Sequence, residues 1–312
     1  MISSIFGKTK PINFIILLGF IFLFYWCVQF YLLEIGFATD GILLKSLVLT
    51  MLLFSVFVVD FIVKRNKITG LNSFSILFYT LLLLVFPETL GDSNGILCSF
   101  FLLLATRRLL SIKSLKEIKS KIFDATLWIL VASLFYDWAI IYVILVFTAI
   151  YIYDPKNIRN WMVVLAAVFC YLIIFLGALI LMDNTAFLNS HYNFRIDYNS
   201  FYLPKWGSSI RLVLYIFLNV ILAFWAFLKL GKAGVGKIIT IRIIALSFIL
   251  GLVVNLLVVS DGSYALMITF FPSVIFITNY MESIKKANIL EVVLMLSIFL
   301  PLVVFISRLV VK

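Results

Sequence analysis

Charged residues are scarce in this chain. Only 12% of its 312 residues are Asp, Glu, Lys or Arg, whereas 64% are hydrophobic. Soluble domains carry about 25% charged residues, so this composition excludes an ordinary water-soluble globule. The longest stretch without an apolar run, residues 183–209, is too short to build a core of its own. The sequence therefore predicts a single integral membrane domain over residues 1–312.

Histidine and cysteine are nearly absent, which limits the metal and nucleophile chemistry available. His191 is the only histidine, and the three cysteines lie far apart inside apolar runs. No zinc-ligand spacing, nucleophile elbow or catalytic triad occurs. The segment GKAGVGK at 231–237 has phosphate-loop spacing, but Ile238 follows where Ser or Thr would hold magnesium. We therefore predict no metal and no other cofactor.

The few charges alternate in sign from one gap between apolar runs to the next. Basic residues occupy the gaps at 8–10, 64–67 and 107–121, and acidic residues occupy those at 34–40 and 88–92. Basic loops remain on the cytoplasmic side of a membrane. This pattern predicts a cytoplasmic N-terminus and a periplasmic C-terminus.

The net charge of +11 does not point to nucleic acid. Its basic residues lie in short loops beside apolar runs, where they face anionic lipid head groups. Neither a separate basic domain nor a basic stripe with interleaved aromatics is present. Membrane lipid is therefore an expected partner, and nucleic acid is not.

The apolar runs set the expected helices, since crossing the hydrocarbon takes about 20 residues. Four runs are short, and the basic loops around each short pair require it to cross twice or to be re-entrant. Both hairpin tips then lie at the outer face. The sequence predicts an all-α polytopic bundle of about eleven segments, some short or broken: long runs at 11–33, 41–63, 160–182, 209–230, 238–260, 262–283 and 287–311, and short runs at 72–87, 95–106, 125–136 and 138–153.

One basic segment is expected to lie along the membrane surface. Residues Ser111 to Phe123, SIKSLKEIKSKIF, place isoleucine and leucine at helical spacing against four lysines. This pattern is typical of an amphipathic interfacial helix on the inner leaflet.

The acidic hairpin tips contain the first candidate site residues. Glu88 and Asp92 lie in FPETLGDSNG, and Asp137 lies in LFYDWAI. A carboxylate held at such a tip can act as a base or accept a proton, whereas the alternative role is solvation of an outer loop. We take these three as candidate catalytic residues and the neighbouring Asn94 and Trp138 as candidate substrate-binding residues.

The periplasmic loop at 183–208 contains the other candidates, in the segment HYNFRIDYN. His191 is a candidate catalytic residue, against the alternative of a packing role. Arg195 and Asp197 are candidate substrate-binding residues, because a guanidinium can hold a lipid-linked phosphate with two hydrogen bonds. The alternative is that Arg195 and Asp197 pair with each other.

The segment Lys121 to Trp161 resembles an uncharacterised family of polytopic inner-membrane proteins from Bacteroidota. The likeness covers about the first 180 residues and implies a shared architecture in a Gram-negative inner membrane, with no established activity. It is carried by Phe86 and Pro87, Asn94, Ala105 to Leu109, Phe123 to Ala125, Ala132 to Tyr136, and Arg159 to Trp161.

In architecture alone the chain is also similar to membrane glycosyltransferases that use polyprenyl-phosphate sugars. Those enzymes place a carboxylate at the outer face, as the short acidic hairpins do here. This chain departs from them in the loop after its first apolar run, which is only about eight residues long. That superfamily has a long first outer loop carrying its acid, so the likeness is one of architecture only.

Three functions follow as hypotheses. The first is envelope biogenesis through handling of a lipid or a polyprenyl-phosphate-linked glycan at the periplasmic face. The alternative is a non-enzymatic subunit or scaffold of an inner-membrane complex, with other inner-membrane proteins as partners. A transporter comes third, because no ionisable residue falls near the middle of an apolar run, where a proton relay would lie.

Overall fold

The computed structural model describes residues 2–33, 39–184, 186–192, 194, 206–229, 234–258 and 265–310. Every regular element in these ranges is helical, and none is a strand. The buried apolar side chains form one continuous core that draws on most of the helices. The predicted all-α class is thereby confirmed.

The helices are numbered here in chain order. A π-helical turn at Val28–Leu32 extends α2, and 3-10 segments at Pro87–Leu90, Asp137–Tyr142 and Ala265–Thr269 precede α5, α7 and α12. Their bounds are α1 Ile2–Phe6, α2 Pro11–Cys27, α3 Thr39–Asn66, α4 Phe74–Val85, α5 Ser93–Ser111, α6 Ile118–Ala132, α7 Val143–Tyr153, α8 Ile158–Leu181, α9 Ala186–His191, α10 Trp206–Lys229, α11 Val235–Leu257, α12 Phe270–Met281 and α13 Ala287–Val310.

Seven helices within the described ranges are long and apolar enough to cross a membrane. This agrees with a multi-pass membrane protein. The shorter apolar helices are Phe74–Val85, Asp137–Tyr153 and Ala265–Met281. The seven longer helices are Pro11–Leu32, Gly41–Asn66, Ser93–Ser114, Ile158–Leu181, Ile210–Lys229, Val235–Leu257 and Ala287–Ile306.

The lengths of two helices, α5 and α12, differ from those that the sequence predicts. The run at 95–106 is short in sequence, but α5 extends from Ser93 to Ser111, because Asp92 caps its start and its last turn includes Arg108. The run at 262–283 looks like a full span, yet α12 covers only Phe270–Met281 after the 3-10 segment. Apolar run length therefore predicts helix existence better than helix length.

The predicted amphipathic helix at Ser111–Phe123 is wrong. Helix α5 ends at Ser111, a 3-10 turn follows, and α6 begins at Ile118. Leu115 and Glu117 have φ angles of 55° and 50°, in the left-handed region, so a continuous helix is excluded. The helical spacing in the sequence arises because the segment joins the ends of two packed helices.

Lysine side chains close this tight connection. Lys121 Nζ donates to the carbonyl of Ser111, 2.9 Å away, which is the last residue of α5. Lys113 Nζ donates to the carbonyl of Asn66, 2.8 Å away, which is the last residue of α3. A cation at a helix C-terminus satisfies orphan carbonyls and complements the helix dipole.

Helix α5 occupies the centre of the bundle. It packs against α3 on one side and α6 on the other, and it also contacts the 3-10 segment before α12. Helix α4 packs against α12, α13 and α3. This arrangement brings the α4–α5 tip (86–92) and the α6–α7 tip (133–142) to one end of the bundle, called here the acidic end.

The opposite end of the bundle, called the basic end, contains α1 and the connections at 67–73 and 112–117. Glu282 accepts hydrogen bonds there from the backbone of Gly70 and the side chain of Asn72. Glu291 accepts from the backbone of Ser3 at 3.0 Å, which attaches α1 to α13. Glu282 and Glu291 therefore attach connecting segments to the bundle.

Gly251 marks a close approach of α11 to neighbouring segments in the core. An added Cβ there would lie 2.9 Å from both Tyr142 Oη and Thr269 Cγ2. The Tyr142 hydroxyl donates to the carbonyl of Ser247, 2.8 Å away, so it is held against α11. Only glycine leaves room for this crossing of α11 with two 3-10 segments.

We expect Gly251→Ala to lower the thermal unfolding temperature in detergent, since overpacking a core costs about 1–3 kcal/mol. Gly177→Ala is the matched control, because a Cβ at this helical glycine meets no described heavy atom within 4 Å. Alanine there gains up to about 1 kcal/mol of helix propensity. Equal unfolding temperatures for the two variants would contradict the close crossing.

Candidate functional site

Glu88 lies in the 3-10 segment at the α4–α5 tip and forms an ion pair with Arg211. Arg211 Nη2 is 2.9 Å from Glu88 Oε1, and Arg211 Nη1 donates to the carbonyl of Val85 at 3.0 Å. The guanidinium lies 5.9 Å from the centre of the Phe86 ring. One arginine thus pairs with the acid and also satisfies the last residue of α4, whose carbonyl has no helical partner.

Asp92 caps the start of α5. Its Oδ1 accepts from the backbone N–H of Gly95 at 3.0 Å, and its Oδ2 accepts from the hydroxyl of Tyr136. A carboxylate at an N-cap satisfies orphan amides and complements the helix dipole. Because Tyr136 belongs to the α6–α7 tip, this contact joins the two hairpin tips.

Asp137 and His191 form a pair beside this junction. His191 Nε2 is 3.2 Å from Asp137 Oδ1 and 2.9 Å from the carbonyl oxygen of Ser133. A carbonyl only accepts hydrogen bonds, so Nε2 carries the proton and Nδ1 has the lone pair in the neutral ring. The His191 ring also stacks on Phe187, with ring centres 4.6 Å apart.

Two tyrosine hydroxyls extend the polar cluster. The Tyr192 hydroxyl lies 3.2 Å from Ser133 Oγ and 2.9 Å from the Tyr171 hydroxyl. Phe175, one turn after Tyr171 on α8, contacts the Tyr192 ring edge to face at 6.1 Å. We call Asp137, His191, Ser133, Tyr192 and Tyr171 the outer cluster.

A groove on the surface of the bundle reaches the outer cluster at Tyr171. It has a volume of about 400 Å³ and runs between α6 and α8. Arg108 and Asp124 form a 2.9 Å ion pair at its other end. We call this the α6–α8 groove; it is lined by Arg108, Asp124, Leu127, Trp128, Val131, Leu134, Tyr171, Ile174, Phe175 and Ala178.

The remaining predicted site residues are scattered or lie outside the described ranges. Asn94 is exposed in the first turn of α5. Trp138 contacts Phe194 edge to face at 5.3 Å, close to the outer cluster in sequence. Arg195 and Asp197 fall outside the described residues, so their predicted roles remain predictions.

Comparison of the chain with protein-family models, with curated proteins and with solved structures finds no match. Within the described part of the chain, no group of three or more His, Cys, Asp or Glu side chains is placed to hold a metal ion.

Several members of the site are not predicted from the sequence. The sequence gives no signal that Arg211 pairs with Glu88, because the two residues are 123 positions apart in the chain. Tyr171 and Tyr192 give no sequence signal, because tyrosine is common in this chain. Tyr136 had a weak signal, since it directly precedes Asp137.

A double-mutant cycle tests the Glu88–Arg211 pair. We expect Glu88→Gln and Arg211→Gln each to lower the free energy of unfolding, because each leaves a partly buried charge without its partner. The double variant should lose less free energy of unfolding than the two single variants lose together. The difference, the coupling energy of the pair, should be about 0.5–3 kcal/mol. Thermal unfolding of purified protein in detergent measures all four corners.

Additive losses would contradict a direct pair. Lys116→Gln combined with Glu88→Gln supplies the control cycle, since Lys116 is exposed at the basic end. That pair of substitutions should be additive within about 0.5 kcal/mol.

Proposed function

We propose that this protein binds and processes a lipid or lipid-linked glycan at the outer face of a bacterial inner membrane, in envelope biogenesis. The observation that supports this is the oriented His191–Asp137 pair, whose contacts through Ser133 and Tyr192 lead to Tyr171 in the wall of the α6–α8 groove. A polar group capable of proton transfer beside an apolar groove matches an amphiphile, with a polar head and a hydrocarbon tail.

The α6–α8 groove is suited to the hydrocarbon tail of such a substrate. Leu127, Trp128 and Val131 come from α6, and Ile174 and Phe175 come from α8. The groove opens toward the side of the bundle that we propose meets lipid. Lipid acyl chains there are as apolar as the side chains that line the groove. A hydrocarbon chain therefore enters laterally from the bilayer without passing through water.

The outer cluster is suited to the polar head group of the same substrate. Asp137 and the Ser133 carbonyl fix the ring of His191 through Nε2, which leaves Nδ1 to accept a proton from a bound hydroxyl. A base oriented by a third group is the recurring arrangement of proton-transfer sites. Arg195 is proposed to hold a phosphate of the same substrate.

We propose eleven membrane segments, with the N-terminus cytoplasmic and the C-terminus periplasmic. The short helices α4, α6, α7 and α12 then cross together with the seven long ones. The basic end faces the cytoplasm under the positive-inside rule, which places the outer cluster in the periplasm.

Thiol labelling tests this orientation. In a protein whose native cysteines are replaced, we expect Asn184→Cys to react with a membrane-impermeant maleimide in spheroplasts. Lys116→Cys should react only after the membrane is opened. The two positions form a matched pair, since both are exposed and lie at opposite ends of the bundle. Reaction of Lys116→Cys in intact spheroplasts would contradict the proposed orientation.

The proposed function is tested by identifying the lipids that remain bound to the protein during purification. We expect wild-type protein, purified from its native membrane in mild detergent, to retain a polyprenyl phosphate or glycolipid at several-fold enrichment over bulk lipid. Asp137→Asn and His191→Gln should lose this enrichment, because both disrupt the oriented pair. Mass spectrometry of extracted lipids and proteins measures this.

Glu117→Gln is the control, since Glu117 is exposed at the basic end. It should retain the same lipids as wild type. Membrane abundance and monodispersity must match across all variants, so that a folding defect is separated from a binding defect. A lipid profile equal to bulk membrane in the wild type would overturn the proposal.

One observation favours the second function, a subunit or scaffold of an inner-membrane complex. Within the candidate span of α13, Ala287–Ile306, only 11% of the most apolar window is buried, the smallest share among the seven candidate spans. Such a helix offers a long face to another membrane protein. A stoichiometric protein partner, retained without a special lipid, would support this function in place of the first.

A further inference from the structure

His191 and Tyr192 are neighbours in the chain, and both contact Ser133, the residue that follows the last turn of α6. His191 Nε2 lies 2.9 Å from the carbonyl oxygen of Ser133, and the Tyr192 hydroxyl lies 3.2 Å from Ser133 Oγ. Ser133 is fully buried. Asp137, the other partner of His191, lies four residues later on the same tip. One buried serine therefore holds both neighbours, His191 through its main chain and Tyr192 through its side chain.

The direction of these hydrogen bonds follows from the protons available. Ser133 Oγ donates its only proton to the carbonyl of Leu130, 2.7 Å away, so it accepts from the Tyr192 hydroxyl. A hydroxyl has one proton and two lone pairs, so the Tyr192 oxygen accepts in turn from the Tyr171 hydroxyl, 2.9 Å away. The Tyr192 hydroxyl is thus fixed from two helices, α6 and α8.

The segment that contains His191 depends on such contacts. His191 is the last residue of α9, which has only six residues. A helix this short is marginal by itself, because its nucleation cost is not recovered over so few hydrogen bonds. Contacts with the rest of the bundle must therefore fix the position of the imidazole ring against Asp137.

Ring packing alone does not require a hydroxyl at residue 192. The Tyr192 ring lies 6.1 Å from the Phe175 ring, 6.1 Å from the Phe194 ring and 5.0 Å from the His191 ring. A phenylalanine ring would make the same contacts. If packing were the whole role of Tyr192, removal of its hydroxyl would leave His191 in place.

We propose that Tyr192 is a positioning residue for His191. Its hydroxyl ties residue 192 to Ser133 and thereby keeps His191 Nε2 directed at Asp137 and at the Ser133 carbonyl. Nδ1 then stays available as the proton acceptor, which a freely turning ring would not ensure. This inference rests on the proposed proton-transfer role of His191, but the tether itself forms without substrate.

The test uses the fact that His191 is the only histidine in the chain. In full-length protein labelled with ¹⁵N at histidine alone, NMR in detergent detects one imidazole ring. We expect its Nε2 proton to exchange slowly with water in the wild type, because it is hydrogen-bonded and the side chain is 15% exposed. Tyr192→Phe should exchange about tenfold faster, since one hydrogen bond of the tether is lost.

Two further variants separate the tether from packing. Ser133→Ala removes the acceptor of the Tyr192 hydroxyl but keeps the carbonyl that His191 uses, so it should accelerate exchange to the same extent. The double variant with Tyr192→Phe should exchange no faster than either single variant, because both break the same link. Tyr151→Phe is the control, since it makes the same chemical change at a residue of α7 that is 71% exposed. It should exchange like the wild type.

Equal exchange rates in the wild type and Tyr192→Phe would overturn the positioning role, as would additive effects in the double variant. The measurement uses delipidated protein, so its result is independent of the lipid-retention test. Accelerated exchange in Tyr192→Phe together with a wild-type lipid profile equal to bulk membrane would support the tether and overturn only the proposed function.

Discussion

The structure depends on satisfying backbone groups where helices stop inside an apolar environment. Helix α4 ends at Val85, and its carbonyl accepts from Arg211. Gln29 donates to the carbonyl of Leu90 at 2.8 Å, at the end of the following 3-10 segment. A lipid-facing backbone group without a partner costs several kcal/mol. Short helices are therefore stable here only because side chains from distant helices reach their ends.

The same requirement explains why polar residues gather at the acidic end. Glu88 and Asp92 are both engaged in holding helix ends, through Arg211, Gly95 and Tyr136. Their first role is structural. Asp137 differs, because its partner is a histidine whose second nitrogen faces away from the pair. Of the candidate acids, it is the one for which we propose a part in proton transfer.

The sequence by itself determined the class of the protein. Composition and the spacing of apolar runs predict a helical membrane bundle, since both follow from the thickness and apolarity of a bilayer. Sequence spacing failed at Ser111–Phe123, because two helix ends in a tight turn mimic one amphipathic helix. Only the tertiary structure decided that Glu88 meets Arg211 and that Asp137 meets His191. Such contacts depend on how helices cross, and that is set by packing across the whole chain.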